Sequence, residues 1–269
     1  MNSTDPYELM NAMLDANYHR GGLACLRVWQ LNLNFFQNLQ ADVSRLCQHE
    51  RSSNVGDSEH ITNWTRPSGR VLQYSLFNAS GRYDDFTSDH ILSVFGKRFS
   101  GAKKYPVLDE FILSFPNAIN FRVNILGPQA ELAPHEEHIL VRGQTGTIGL
   151  RIRMHLPIVT NLAAEIILEE SVYHLEAGFV YFVNHGCFHS ARNGGDQPRI
   201  HLVWDLLFTR DCFALLFGTD SDLPLSARRL SPAEQHVLSL RKERMGPIRR
   251  MPDPFPELSV QDIDFLELQ

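Results

Sequence analysis

Apolar positions change their period several times along this chain. Residues 24–31 alternate, with Leu26, Val28 and Gln30 against Arg27, Trp29 and Leu31, and Phe36, Leu39, Val43 and Leu46 then recur at helical spacing. A strand followed by an amphipathic helix is predicted. Ahead of it, Asp5-Pro6-Tyr7-Glu8 supplies a capping carboxylate, proline at the first helical position and an acid three residues after the cap. A helix therefore starts there and ends by Gly21-Gly22. Residues 51–70 are polar and punctuated by Ser52-Ser53-Asn54, Gly56-Asp57 and Pro67-Ser68-Gly69, the composition of a loop. A strand over 71–77, a turn at 78–81 and helical pieces at 91–95 and 107–115 follow.

From residue 120 the pattern becomes one of short alternating segments separated by turn residues, which predicts an antiparallel sandwich or barrel. Its strands are expected over 120–126, 138–141, 149–157, 165–168, 179–184 and 199–207. The corners fall at Gly127-Pro128, Gly143 to Gly146, Ala177-Gly178 and Gly194-Gly195-Asp196. Trp204 and Phe179 are expected in the barrel core. Beyond Phe208, Ser231-Pro232-Ala233-Glu234 is a capping box that opens a helix ending before Gly246-Pro247. The tail from Met251 to Gln269 carries prolines, and aspartates set among leucines; a lid, a dimer contact or a loose extension all remain open for it. The division expected is a main domain over 1–208 and a C-terminal helical extension over 209–269.

Composition narrows the function. With 269 residues, 43% hydrophobic and 21% charged, the chain can bury a sizeable interior. A net charge of −6 disfavours nucleic-acid and membrane surfaces as partners, since both reward basic patches, and leaves a small molecule as the expected substrate. Cys25, Cys47, Cys187 and Cys212 form no C-x-x-C pair, so they read as free thiols, with Cys187 a buried small residue. No bilayer-length apolar run or basic-then-apolar leader is seen, which makes the cytoplasm the default location. A homodimer is left open.

Within 130–208 the polar residues acquire a chemical order. Two H-x-E pairs occur, His135/Glu137 and His174/Glu176, and from 12 histidines and 31 acids about one and a half would arise by accident. Context separates them. His174/Glu176 runs into a glycine turn and reads as a surface pair. His135 and Glu137 follow a strand and Pro134, and residues two apart on extended chain face the same side. His189 lies downstream, and Arg199 follows ten residues later on a strand whose inward face is Arg199, His201, Val203 and Asp205. Two histidines and one carboxylate leave three positions open on Fe(II), the arrangement of non-haem iron oxygenases.

Arg199 suits a dicarboxylate co-substrate, because a planar guanidinium matches a carboxylate with two parallel hydrogen bonds. Arg151, Arg153 and His155 form a second inward row, opposite Ile152, Met154 and Leu156. Such positive charge inside an acidic protein calls for an anionic ligand or acidic neighbours. His138, His174, His185 and His201 receive no role beyond structure.

These motifs, H-E-E, then L-R-I-R-M-H-L, then H-S-A-R-N and P-R-I-H-L-V-W-D-L, resemble the core of the aspartyl/asparaginyl β-hydroxylase-type family of Fe(II)/2-oxoglutarate dioxygenases, nearest to bacterial amino-acid hydroxylases of the cis-proline type. The likeness runs from about Leu26 to Phe208. It implies a mainly β fold with flanking helices: a double-stranded β-helix, or cupin-like jelly roll, with the C-terminal extension appended. It further implies Fe(II), 2-oxoglutarate and O2, with His135, Glu137 and His189 as iron ligands and Arg199 as the 2-oxoglutarate clamp. Arg153 and His155 become further co-substrate contacts, and Arg122 a substrate contact.

The sequence departs from the pattern at Glu137, where the nearest relatives carry aspartate. Glutamate as the ligand, Glu136 in its place, or a centre of two histidines and water all stay open. The activity implied is hydroxylation of an unactivated C–H of an amino acid that is free, N-acylated, carrier-bound or within a small peptide, with release of succinate and CO2. The alternatives are a non-catalytic cupin-like barrel that binds a metal and an anion, and a metal-independent structural barrel.

Overall fold

The structure is a computed structural model that describes residues 5–17, 22–54, 67–92, 96–115, 117–135, 137, 139–143, 146–217 and 225–245. In chain order its elements are α1 (Pro6–Asn17), β1 (Cys25–Gln30), α2 (Leu33–His49), β2 (Ser53–Asn54), β3 (Pro67–Ser68), β4 (Val71–Ser75), α3 (Phe86–Asp89), α4 (Pro106–Leu113) and β5 (Ala118–Leu126). They continue with β6 (Glu131–His135), β7 (Leu140–Arg142), β8 (Ile148–Val159), β9 (Ala164–Leu168), β10 (Ser171–Tyr173), β11 (Phe179–Val183), β12 (His189–Asn193), β13 (Arg199–Leu207), α5 (Arg210–Phe217), β14 (Ala227–Arg229) and α6 (Pro232–Met245).

Eight strands wind alternately into two antiparallel sheets. One contains the order β11-β8-β13-β5 and the other β10-β9-β12-β6, which is the double-stranded β-helix expected. β1, β4, β2 and β7 extend the larger sheet, while β3 and β14 flank the smaller one. The C-terminal region thus contributes a strand to the sandwich, through β14 on β10.

The two faces of the larger sheet differ in chemistry because each strand alternates. Ile152, Met154, Leu156, Leu202, Trp204, Leu206, Phe121 and Val123 point to the side covered by α2 and α4. There Leu39, Val43 and Leu46 of α2 are buried, and Trp204 stacks on Phe121 at 5.0 Å with the Phe111 ring edge-on at 5.4 Å. This apolar layer carries much of the fold's hydrophobic stabilisation. The opposite face carries Arg122, Arg153, His155, Arg199, His201 and Asp205 and looks toward the smaller sheet.

Several boundaries differ from expectation for local reasons. Asn32 Oδ1 accepts from the Asn34 and Phe35 amides, so α2 begins ahead of its apolar stripe. A helical turn that the sequence did not predict, α3, forms where the Asp85 side chain caps it by accepting from the Ser88 amide at 3.0 Å, while the piece expected at 91–95 lies mostly outside the described residues. Residues 93–95 and the tail 251–269 fall outside the described residues. Phe179 is only partly buried and lies under the Arg27 guanidinium at 4.5 Å, outside the central core. Among the described residues no helix is long and apolar enough to cross a membrane, and the four cysteines are free thiols.

Candidate metal centre and its buried charges

β6 and β12 bring the two histidines together. His135 and His189 are register partners across this antiparallel pair, with ring centroids 4.2 Å apart. Next to them Ala133 and Pro134 oppose the single residue Ser190, a β-bulge of the kind that re-aims side chains beside active sites. Proline fits in the bulge because it needs no ladder donor.

Each ring is oriented in the same way. Nδ1 of His135 donates to Ala133 O and Nδ1 of His189 donates to Cys187 O, both at 2.8 Å. A carbonyl only accepts, so Nδ1 carries a proton in each ring and Nε2 is the nitrogen turned to where a metal would bind. Burial, with His135 alongside, pushes His189 down to about 3, which keeps it neutral. Glu137 lies two residues past His135, its amide donating to His185 O at 3.0 Å and its Oε1 3.7 Å from His135 Nε2.

Ligand atoms of His135, Glu137 and His189 lie within 4.8 Å of one another. Two imidazole nitrogens and an anionic carboxylate form a donor set that fits Fe(II). Glu136 and His138 lie outside the described residues.

Glu137 is also held from the larger sheet. Arg153 Nη1 donates to its Oε1 at 2.5 Å and Nη2 to its Oε2 at 2.8 Å. The other edge of Arg153 meets Asp205, with Nε to Oδ1 at 2.8 Å and Nη2 to Oδ2 at 3.0 Å. Burial alone would raise the Glu137 carboxyl, but Arg153, then His135, outweigh it and hold the group well below the usual carboxylate range. Asp205 is likewise depressed, against burial, by Arg153 and Arg151. Arg151 stands 3.6 Å from Glu137 Oε2 and 3.9 Å from Asp205 Oδ2.

The remaining inward cations divide by partner. Arg122, expected to face substrate, places Nε and Nη2 on Asp89, which is 1% exposed. Its Nη2 also approaches the His90 ring. Arg199 is 3% exposed and has no carboxylate partner among the described residues. Its Nη2 donates to His201 Nδ1 at 2.8 Å, and burial lowers it to about 9. Since arginine only donates, His201 Nδ1 is an acceptor, and its proton sits on Nε2, a buried atom with no hydrogen-bond partner among the described residues. His155 Nδ1 is 3.5 Å from that same Nδ1. Both imidazoles are kept neutral by burial and then by Arg199.

The structure therefore brings together His135, Glu137 and His189, with Arg153 against Glu137 and with His155 and Arg199 around His201. Arg122 is engaged with α3. His174 Nδ1 donates to Ala164 O and Glu176 pairs with Arg27, so the second H-x-E pair lies apart from this cluster. Asp205 and His185 were assigned no role from the sequence. Asp205 was legible as an inward residue of its strand, and the need of the arginines for acidic neighbours was its signal. His185 is fully buried with both ring nitrogens lacking a partner among the described residues, and no spacing marked it.

A jelly roll with two histidines and a carboxylate converging from one sheet, and a buried arginine on the facing sheet, defines a non-haem iron oxygenase of the 2-oxoglutarate type. Residues 88–208, from within α3 to the end of β13 and the residue after it, match the model of the aspartyl/asparaginyl β-hydroxylase family. Over this segment, a little under half of the chain, the protein is similar to that family, and it is a hydroxylase that uses Fe(II), 2-oxoglutarate and O2.

Solved structures are similar at a distance. A Pseudomonas putida prolyl-4-hydroxylase is 11% identical with a TM-score of 0.42, over 74% of this chain and 98% of that one. A Burkholderia pseudomallei oxidoreductase of the 2OG-Fe(II) oxygenase family is 10% identical with a TM-score of 0.41, over 72% and 89%. A non-heme α-ketoglutarate-dependent epimerase from nogalamycin biosynthesis is 16% identical with a TM-score of 0.39, over 75% and 83%.

Proposed function

We propose that this chain hydroxylates an unactivated C–H of an amino-acid unit, free, N-acylated, carrier-bound or in a small peptide. The C–H becomes C–OH, one atom of O2 enters the product, and 2-oxoglutarate takes the other as it breaks down to succinate and CO2. His135, Glu137 and His189 would hold the iron, which supplies the oxidising chemistry when bound. Arg199 would receive the far carboxylate of 2-oxoglutarate, with His155 and His201 lining that end of the site as neutral groups.

The observation that carries this reading is Arg199 itself. A guanidinium that is almost wholly buried without an acid is costly to the fold, and an anionic ligand offsets that cost. Arg122 already has Asp89, so its assignment shifts from a substrate contact to fixing α3 against β5. The match of residues 88–208 and the likeness of the motifs to amino-acid hydroxylases support an amino-acid substrate.

The test is to load the protein with Fe(II), supply 2-oxoglutarate and a panel of amino acids and their acylated or peptide forms, and measure succinate together with product mass. Succinate release with a product heavier by one oxygen atom is expected. No turnover of 2-oxoglutarate, coupled or uncoupled, would overturn the proposal in favour of a binding barrel.

A further inference from the structure

A glutamate that serves as the sole carboxylate ligand of an open iron centre faces two difficulties. Its extra methylene, relative to aspartate, adds a rotatable bond that must be fixed. A carboxylate can also chelate through both oxygens and so consume a position needed by co-substrate or O2. Both difficulties are met by the same feature of this chain.

Asn120, Asp205 and Arg153 are register partners on three adjacent strands, β5, β13 and β8. Asn120 Nδ2 donates to Asp205 Oδ2 at 2.8 Å, and the Asp205 amide donates to Asn120 Oδ1 at 3.0 Å. Asp205 then takes one edge of Arg153, and Arg153 presents its other edge, as a planar fork, to both oxygens of Glu137. The row crosses from the larger sheet to the carboxylate beside His135. Asn120 and Asp205 are 5% and 1% exposed, so it is fixed by packing as well as by hydrogen bonds.

We infer that Arg153 and Asp205 are positioning residues that hold Glu137 as an anionic ligand bound to metal through one oxygen only; the inference rests on the triad reading above. The fork occupies one lone pair on each carboxylate oxygen, along the direction a chelated metal would need, and leaves the outward lone pair of one oxygen for the metal. Four hydrogen bonds from Arg153 go to these two carboxylates, so the guanidinium is committed to them. This separates it from Arg199, whose guanidinium has no carboxylate among the described residues. The row also suits the glutamate at this position, since an aspartate is one methylene shorter on its way to the same fork.

The experiment titrates chelator-treated protein with Mn(II), and anaerobically with Fe(II), by calorimetry, and separately measures 2-oxoglutarate binding to metal-saturated protein. Arg153→Gln is expected to weaken metal binding about 10- to 100-fold, the usual effect of losing a group that supports a ligand. Affinity for 2-oxoglutarate should stay unchanged. In a Glu137→Gln background, Arg153→Gln should cost no further metal affinity, because it acts through that carboxylate.

Weakened 2-oxoglutarate binding with intact metal binding, or an equal loss of metal affinity with and without Glu137, would overturn the inference. Because Arg153→Gln strips the guanidinium fork from two carboxylates and leaves only Arg151 near them, Asp205→Asn and Glu137→Asp are measured beside it. Asp205→Asn keeps its size and a bond to Asn120, and Glu137→Asp keeps the charge. Both should weaken metal binding, and unchanged or tighter binding by Glu137→Asp would overturn the matched length. The triad reading fails separately, and before these arms are read, if His189→Ala or Glu137→Gln leaves metal affinity intact.

Discussion

Arg199 donates to His201 Nδ1 at 2.8 Å, and among the described residues that neutral imidazole is the side-chain hydrogen-bond partner of its buried guanidinium. A full positive charge is therefore answered inside the sandwich by a dipole. Arg199→Gln should weaken 2-oxoglutarate binding by about 2–5 kcal/mol, the range for truncating one partner of a buried hydrogen-bonded charge pair. Arg199→Lys should restore only part of it, because an ammonium cannot form the fork. Calorimetry on metal-saturated protein measures both, and metal affinity should not move.

His189→Ala removes one of two imidazoles whose Nε2 atoms are left for metal by their Nδ1 bonds to backbone carbonyls. Metal affinity should fall by more than the roughly 10- to 100-fold expected when only a supporting group is lost. Metal content after dialysis against a defined Mn(II) concentration reports this, and retention of wild-type content would exclude His189 as a ligand.

Acidification should destabilise the metal-free protein in two stages. His155 and His201 are held far below their ordinary 6.5, so below that pH the unfolded chain binds protons that the folded protein does not. Stability then falls by up to about 1.4 kcal/mol per pH unit for each histidine. Asp205 and Glu137 act lower down in the same direction. Their stabilisation is complete above their ordinary 3.8 and 4.5 and is lost as pH falls below them. Thermal melts across this range should show His201→Gln flattening the upper limb and Asp205→Asn the lower one.

Trp204 is fully buried between Phe121 and the aromatic side chains of and after α4. Trp204→Ala should cost about 3–5 kcal/mol, read from urea unfolding followed by circular dichroism. Smaller losses would mean that α4 closes over the cavity.

Where the hydrophobic period was strong, the chain could be read directly. β13 runs from Arg199 to Leu207 as its alternation predicts, and the parity of 151–156 places Arg153 and His155 opposite Met154 and Leu156. β6 and β12 were not drawn as strands because both are only five residues long, Glu131–His135 contains Pro134, and His189–Asn193 is mostly polar. Their extended form is imposed by tertiary pairing in the smaller sheet, including the bulge. The acidic neighbours of Arg122 and Arg153 were equally hidden, since Asp89 and Asp205 reach them only after 33 and 52 residues of chain have folded back. Sequence spacing placed the histidines and arginines near one another, but only the cross-strand register separates a committed arginine from one without an acid.

The strand β14 and the helix α6 have a consequence for how the molecule behaves in company. β14 covers the outer edge of β10, and Leu230 and Leu238 pack on Val172 and Phe188. The Arg192, Arg228, Glu165 and Glu234 ion pairs clasp this flap from outside. Cutting the chain after Phe208 would bare both a hydrogen-bonding sheet edge and a greasy patch, a combination that templates edge-to-edge association. The last described turns of this protein thus act as its solubility cap: a shortened version should self-associate through β10 even with the metal site untouched.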